Sequence, residues 1–595
     1  MSGKFTTLVD MLESSLRAFP DKPVMGIKLR GHYSWITYRE FGTRVDHCRA
    51  GLAARGLKEG ERTAIISNNR IEWAVACYAT YQLGAAFAPM YESQSPDDWR
   101  FILNDCQPSI LIVSNEEIHK HLGAILDDVK SIREVIILDA HEHHHDAISF
   151  EHLMDIGRKN PTPPLQIDPK SMSGLIYTSG TTGKPKGVML SHGNIISNIN
   201  AMHEILPITP GEVSLSFLPW AHSFGQNVEL HGMISAGGAL GLAERVDTII
   251  ANLSEVRPTV LFSVPRVFNK IYDGLNKKMA HAPPLKKKLF YAGLANSAEL
   301  RRRKERGLGP GLPGILDIFF DRVVFSKVRS VLGGRLKYAF SGGAALSKEV
   351  AEFIDNLHIT VYEGYGLSET SPIITANYPG AQRIGSVGKP IPGVRVVIDT
   401  NVEGGDPDVG EIINYGPNTM MGYFNRPEET ARVMTADGGF RTGDLGRMED
   451  GFLYITGRVK EQYKLENGKY VVPAPLEEQL TLSPYILQAM IHGENRPFNI
   501  ALIVPDFDAI REWAAAHAIA STDPEALCKN PEVRALIQKE IEKYSKEWKG
   551  YERPKAFALL PDEWSVDNDM LTPKLSLKRR NVVKKYEQSI EELYR

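Results

Sequence analysis

Cysteine is scarce: the 595 residues hold four, Cys48, Cys77, Cys106 and Cys528, far apart and without paired spacing. That excludes a disulfide-stapled scaffold and a cysteine-ligated zinc site, and it points to reduced thiols in a cytosolic protein. Long apolar runs are missing too. No stretch of about 18 uncharged apolar residues occurs, so no spanning helix is expected. The first residues, MSGKFTTLVDMLESSLRAF, have acidic side chains and helical spacing at Leu8, Met11, Leu12 and Leu16 instead of a basic start and an apolar centre. They do not read as a signal peptide. Excess charge is also lacking: a net −3 provides no general attraction for nucleic acid.

What is present is a globular composition, 43% hydrophobic and 24% charged, on a chain too long for one core. Between Glu40 and Leu138, the β-rich runs 63–66, 86–90, 110–113 and 135–138 recur about every 25 residues, with helical patterns such as Ile71 to Leu83 between them. That interval accommodates one crossover helix per strand, so a parallel α/β layer is expected. The run HEHHHD, His141 to Asp146, has metal-ligand residue types. Adjacent side chains in so short a run diverge, and a solvated loop is the favoured reading.

The chemistry centres on LIYTSGTTGKPKG, Leu175 to Gly187. Gly180, Gly183 and Gly187 let backbone N–H groups turn toward an anion. Thr178, Ser179, Thr181 and Thr182 add hydroxyls, while Lys184 and Lys186 add positive charge. No Gly stands five residues ahead of a Gly-Lys-Ser/Thr, so the P-loop NTPase pattern fails on spacing.

TSGTTGKPKG resembles the phosphate loop of the AMP-forming adenylating superfamily, which includes acyl-CoA synthetases, adenylation domains and luciferases. The resemblance extends over nearly the whole chain, and within that superfamily the chain is most similar to long-chain fatty acyl-CoA synthetases. It implies a large N-terminal domain of α/β layers, residues 1–457, with a small β subdomain at about 384–440. A mobile α+β C-terminal domain, 458–595, would follow a hinge near Lys460.

Residue by residue, the resemblance implies an adenylate site. Thr178, Ser179, Gly180, Thr181, Thr182, Gly183 and Lys186 would bind phosphate. In SGGAALS (341–347), Gly343 and Ala344 would border the adenine and the acyl substrate. In EGYGLSET (363–370), Tyr365 would stack on adenine, Gly366 and Ser368 would line the nucleotide, and Glu369 would hold Mg²⁺ together with Thr178. Asp444 in GGFRTGDLG would accept both ribose hydroxyls, with Arg458 near the ribose and phosphate. His222 in FLPWAHSFGQ matches a histidine against the acyl pocket, where it contacts the carboxylate or fills the wall. Lys464, Gly468 and Tyr470 would line the coenzyme A channel.

One position departs. In LTPKLSLKRR, 571–580, the register of the long-chain branch puts Ser576 where the adenylation lysine is expected, with Lys574 and Lys578 flanking it two residues away. Either flanking lysine is a candidate replacement. A second unusual region is 277–306, with ten Lys or Arg against two Glu, and Leu285, Leu289 and Ala292 at helical spacing. It reads either as a basic amphipathic helix on an anionic membrane or as a solvated helical insertion.

The expected activity is ATP- and Mg²⁺-dependent ligation of a fatty acid to coenzyme A through an acyl adenylate. Two alternatives are a fatty acyl-AMP ligase loading a carrier protein and, because of Ser576, a weakly active ATP- and fatty-acid-binding regulator. A cytoplasmic location is expected, with peripheral membrane attachment open. No nucleic-acid partner is expected, and neither acyl length nor oligomeric state is legible.

Overall fold

The computed structural model describes residues 5–140, 147–178, 184–206, 208–402, 407–572 and 576–595. These form two compact units. The first comprises the chain to Gly180, Lys184–Val396 and Asn414–Phe440; the second includes Val397–Ile413 and Arg441–Arg595.

In the first unit an eight-stranded sheet runs in the order 422–423, 186–191, 172–178, 86–90, 62–66, 110–113, 134–137, 148–149. The six strands from 172–178 to 148–149 are parallel. The expected parallel layer is therefore present. Its strands are almost wholly apolar because helices cover both faces, as with the buried helix Ile71–Gln82. The four cysteines are free and buried.

A second sheet places strands 260–263, 338–341 and 360–366 side by side in parallel, with Ser263, Ser341 and Glu363 in one register row. All three therefore reach the same edge together, and the motif loops leave from there. A third sheet carries 213–216, the strand that leads into FLPWAHSFGQ.

The second unit holds most of a four-stranded sheet, 395–399, 410–415, 440–449 and 452–458, of which the first three strands straddle the division between units. A smaller sheet of 486–492, 500–505 and 556–559 packs against helices. The expected boundary at 457/458 falls inside this unit, because Phe452–Arg458 pairs back on Phe440–Glu449.

The basic region folds as the helices Pro265–Ala280 and Pro284–Glu305. The packed stripe of the second is Phe290, Gly293 and Ser297, while Leu285 and Ala292, two of the three apolar residues at helical spacing, are exposed. Gly293 takes part because a Cβ there would lie 3.0 Å from the Phe325 ring and 3.3 Å from Phe320. The bare backbone is the contact surface.

Candidate active site

Thr178 closes the strand Met172–Thr178 and pairs in register with Lys186 on the returning strand. Ser179, Gly180, Thr181, Thr182 and Gly183, which join the two, lie outside the described residues, as do His141 to Asp146 and Lys574.

Lys186 opens a chain of contacts that runs through the first unit. Its amine pairs with Glu429 and lies 5.0 Å from the centre of the Tyr423 ring. That pairing keeps the Glu429 carboxyl below its ordinary range. Tyr423 donates its hydroxyl to Glu369 at 2.9 Å. Glu369 sits in the short turn Ser368–Thr370, and its backbone carbonyl accepts the Met420 N–H at 2.8 Å. Ser368 in turn is 3.1 Å from Ser223, hydroxyl to hydroxyl, in a buried contact. Ser223 follows His222. Lys186, Glu369, Ser368 and His222 are thus joined through two residues outside the expected set, Tyr423 and Ser223.

His222 has a defined orientation. Its Nδ1 accepts the Phe224 N–H at 3.2 Å, so in the neutral ring the proton is on Nε2, where it is a donor suited to a carboxylate. Trp220 is buried and packs edge-on to Trp73 with centroids 5.4 Å apart, so it belongs to the core. Phe224 lies beneath the SGGAALS loop, where a Cβ on Gly342 would be 3.4 Å from its ring. Gly343 has φ +83°, a left-handed turn, and exposes Ala344 beside it. The Leu346 N–H donates to Glu363 at 3.1 Å, tying this loop to the strand bearing EGYGLSET. On that strand Tyr365 pairs with Thr375, and Gly366 approaches so closely that a Cβ would lie 1.8 Å from the Pro372 carbonyl oxygen.

The second unit presents its own residues. Asp444 is buried and faces Arg458 across the strand pair, with Nε 3.0 Å from the carboxylate. Lys460 is exposed in a tight turn in which the Glu461 and Gln462 amides both close on the Arg458 carbonyl. The hairpin Tyr463–Lys464/Tyr470–Val471 sets Lys464 5.5 Å from the Tyr470 ring. Gly468, at φ +81°, donates to the Leu465 carbonyl at the hairpin tip. Near the C-terminus, Thr572 N–H donates to the Ser576 carbonyl at 2.9 Å, and Leu571 bridges Leu577. Ser576 is exposed, and Lys578 pairs with Asp569. Arg579 forks onto Glu477 at 2.7 and 2.5 Å, fixing the base of the segment.

The AMP-binding enzyme model matches residues 12–424, and the AMP-binding enzyme C-terminal domain matches 460–595. The chain belongs to the AMP-binding enzyme family. Among relatives of this AMP-binding enzyme, long chain acyl-CoA synthetase 7, peroxisomal, of Arabidopsis thaliana is 30% identical over 99% of this chain and 86% of its own. A long-chain-fatty-acid–CoA ligase, FadD15, of Mycobacterium bovis is 31% identical over 100% and 98%. The adenylation domain of a carboxylate reductase from Mycobacterium chelonae shares the fold, with a TM-score of 0.78 at 24% identity, covering 99% of this chain and 91% of that one.

The arrangement suits the family's cation. Among the described residues no cluster of three His, Cys, Asp or Glu could hold a metal. A hard cation bound by one carboxylate and substrate phosphates needs none, and the Glu369 carboxylate, held by the Tyr423 hydroxyl, has the oxygen chemistry for such a role. Tyr423 and Glu429 escaped the sequence reading because their partners are distant in the chain. The only sequence signal for them was a Tyr and two Glu in GYFNRPEET.

Proposed function

We propose that this AMP-binding enzyme is a long-chain fatty acyl-CoA synthetase. The observation that carries the reading is the Ser223–Ser368 contact. It joins the His222 segment, matched to the acyl pocket, to the Glu369 turn, matched to the nucleotide, in a chain collinear with long-chain synthetases.

A carboxylate oxygen of the fatty acid attacks the α-phosphorus of ATP, and the bond to the β-phosphate oxygen breaks, releasing pyrophosphate. The thiolate of coenzyme A then attacks the acyl carbon and AMP leaves. Neither step needs a nucleophile from the protein, so the chain's work is positioning and electrostatics. His222 directs its Nε2 proton at the acyl carboxylate, Tyr365 supports the adenine, and Asp444 accepts the ribose hydroxyls beside Arg458. Glu369 and the Thr178 hydroxyl hold Mg²⁺, which neutralises charge on the triphosphate when bound. Lys460 is the hinge at which the C-terminal domain changes position between the two steps. Lys464, Gly468 and Tyr470 receive the pantetheine arm.

Ser576 supports a second reading, a regulator that binds ATP and fatty acid with little turnover. The test is pyrophosphate release with ATP, Mg²⁺ and medium- to very-long-chain fatty acids, with and without coenzyme A. Coenzyme-A-dependent turnover with acyl-CoA as product is expected. Adenylate formation that ignores coenzyme A would favour the carrier-loading ligase, and no turnover beside tight binding would favour the regulator.

A further inference from the structure

The helix Gly311–Phe320, sequence GLPGILDIFF, has its polar side inward and its apolar side outward. Inward, Asp317 accepts the Ser297 hydroxyl at 3.0 Å and meets His358, the Pro313 carbonyl accepts the Asn296 amide, and Phe320 is buried. Outward stand Leu312, Ile315, Leu316, Ile318 and Phe319, each 40% to 71% exposed, and Leu308 continues the patch into the preceding turn. Isolated exposed leucines need no explanation, but five on a helix of ten residues do.

Positive charge brackets this face. Before it, Arg303 donates to the Gly309 carbonyl at 2.9 Å, while Arg302, Lys304 and Arg306 are exposed. Beyond it, Arg322 is exposed one helical turn after Ile318, with Lys327 next. The two acidic residues from 311 to 331 are both turned inward: Asp317 as above, and Asp321 to Arg329 at 2.6 Å and to His358. An apolar face flanked at both ends by cations, with the carboxylates of 311–331 turned inward and Glu299 paired with Arg302, is complementary to an anionic lipid surface.

We infer that the face of Gly311–Phe320 docks on bilayers containing anionic lipid, lying in the interface with Leu312, Ile315, Ile318 and Phe319 among the acyl chains. The helix is far too short to cross, and no helix among the described residues is long and apolar enough to do so. Of the two readings of 277–306, a helix on an anionic membrane or a solvated insertion, the membrane one is kept, but the inserted part is assigned to the next helix, with the basic helix as its collar. The inference does not depend on the acyl substrate, although a bilayer is where long-chain fatty acids partition.

The test is sedimentation of the full chain with phosphatidylcholine vesicles, with and without phosphatidylglycerol, at low and high salt and without substrate. Binding to the anionic vesicles that weakens with salt is expected. The pair Ile315→Asp and Ile318→Asp should lower the partition coefficient by at least about tenfold. Arg302→Glu with Arg306→Glu should do likewise, at about fivefold or more per charge. Ile318→Trp keeps the fold testable, because its fluorescence should shift to the blue on anionic vesicles. Wild type that ignores anionic vesicles, or aspartate variants that bind as well as wild type, would overturn the inference. So would a change from dimer to monomer in those variants with vesicle binding unaltered, which would assign the face to a second copy. Pyrophosphate release from a medium-chain acid in solution should be unchanged throughout, so loss of docking and loss of the synthetase reading are separable.

Discussion

Lys578 pairs with Asp569, whose second carboxylate oxygen takes the Asn581 amide at 2.8 Å. Asp569 is exposed, so the pair is worth about 0–1 kcal/mol and could be broken. Position argues further, because the Lys578 N–H bonds the Met570 carbonyl at 2.8 Å, at the base of the arms that Thr572 and Ser576 join. Lys578 is anchored there, and Lys574, in the connecting segment outside the described residues, is the other lysine flanking Ser576. Lys574→Ala should slow pyrophosphate release by about 10²–10³, the scale of a lost charge-stabilising donor, and Lys578→Ala by less than about tenfold. The reverse ranking would place the cation at Lys578.

Tyr423→Phe removes the hydroxyl that orients Glu369 but keeps the ring beneath Lys186. The Mg²⁺ concentration for half-maximal adenylation should rise about tenfold, with the rate at saturating Mg²⁺ nearly restored. A Mg²⁺ titration of both proteins reads this directly. An unchanged midpoint would remove Tyr423 from the site.

Much of the architecture was legible because its causes are local. Residues 86–90 and 110–113 read as strands since a strand covered on both faces is an unbroken apolar run. Gly343 and Gly366 were legible through the resemblance of their motifs, and in the structure they occupy a left-handed turn and a close backbone approach, which admit little else. The links Tyr423–Glu369 and Lys186–Glu429 join segments distant in sequence, and no periodicity reports them. In the helix Pro284–Glu305 the apolar spacing did not report the side that packs. Its packing contact runs through Gly293 and Ser297, which carry no apolar signal, while Leu285 and Ala292 face out.

Gly366→Ala tests the close approach in the strand that carries Tyr365. A Cβ would meet the Pro372 carbonyl oxygen at 1.8 Å, its carbon at 2.7 Å and Ile373 Cα at 3.1 Å, all backbone atoms that cannot swing aside. The strand must move, and Tyr365 moves with it. Adenylation should fall by about 10², the cost of misplacing a positioning group by an ångström, while the far-ultraviolet circular dichroism is retained. Full activity would show that the strand relaxes without disturbing Tyr365.

Glu229 supplies a pH test that reads stability and needs no ligand. It is fully buried in the π-helix Phe224–His231 and accepts the hydroxyls of Ser214 and Ser216 at 2.9 and 2.7 Å, with Trp220 Nε1 donating to Ser216. Burial outweighs these hydrogen bonds and pushes its carboxyl from 4.5 up to about 8. The folded state therefore holds a proton that the unfolded chain releases at lower pH. Its contribution to stability is fully present below 4.5 and is lost as pH rises to about 8. Glu229→Gln, which has no proton to lose, should gain on wild type across that window by about 1.4 kcal/mol per pH unit. Unfolding midpoints of both proteins, measured at intervals from pH 5 to pH 9, should diverge up to about pH 8 and then run parallel. Parallel curves throughout would mean that the carboxyl keeps its ordinary value in the folded chain.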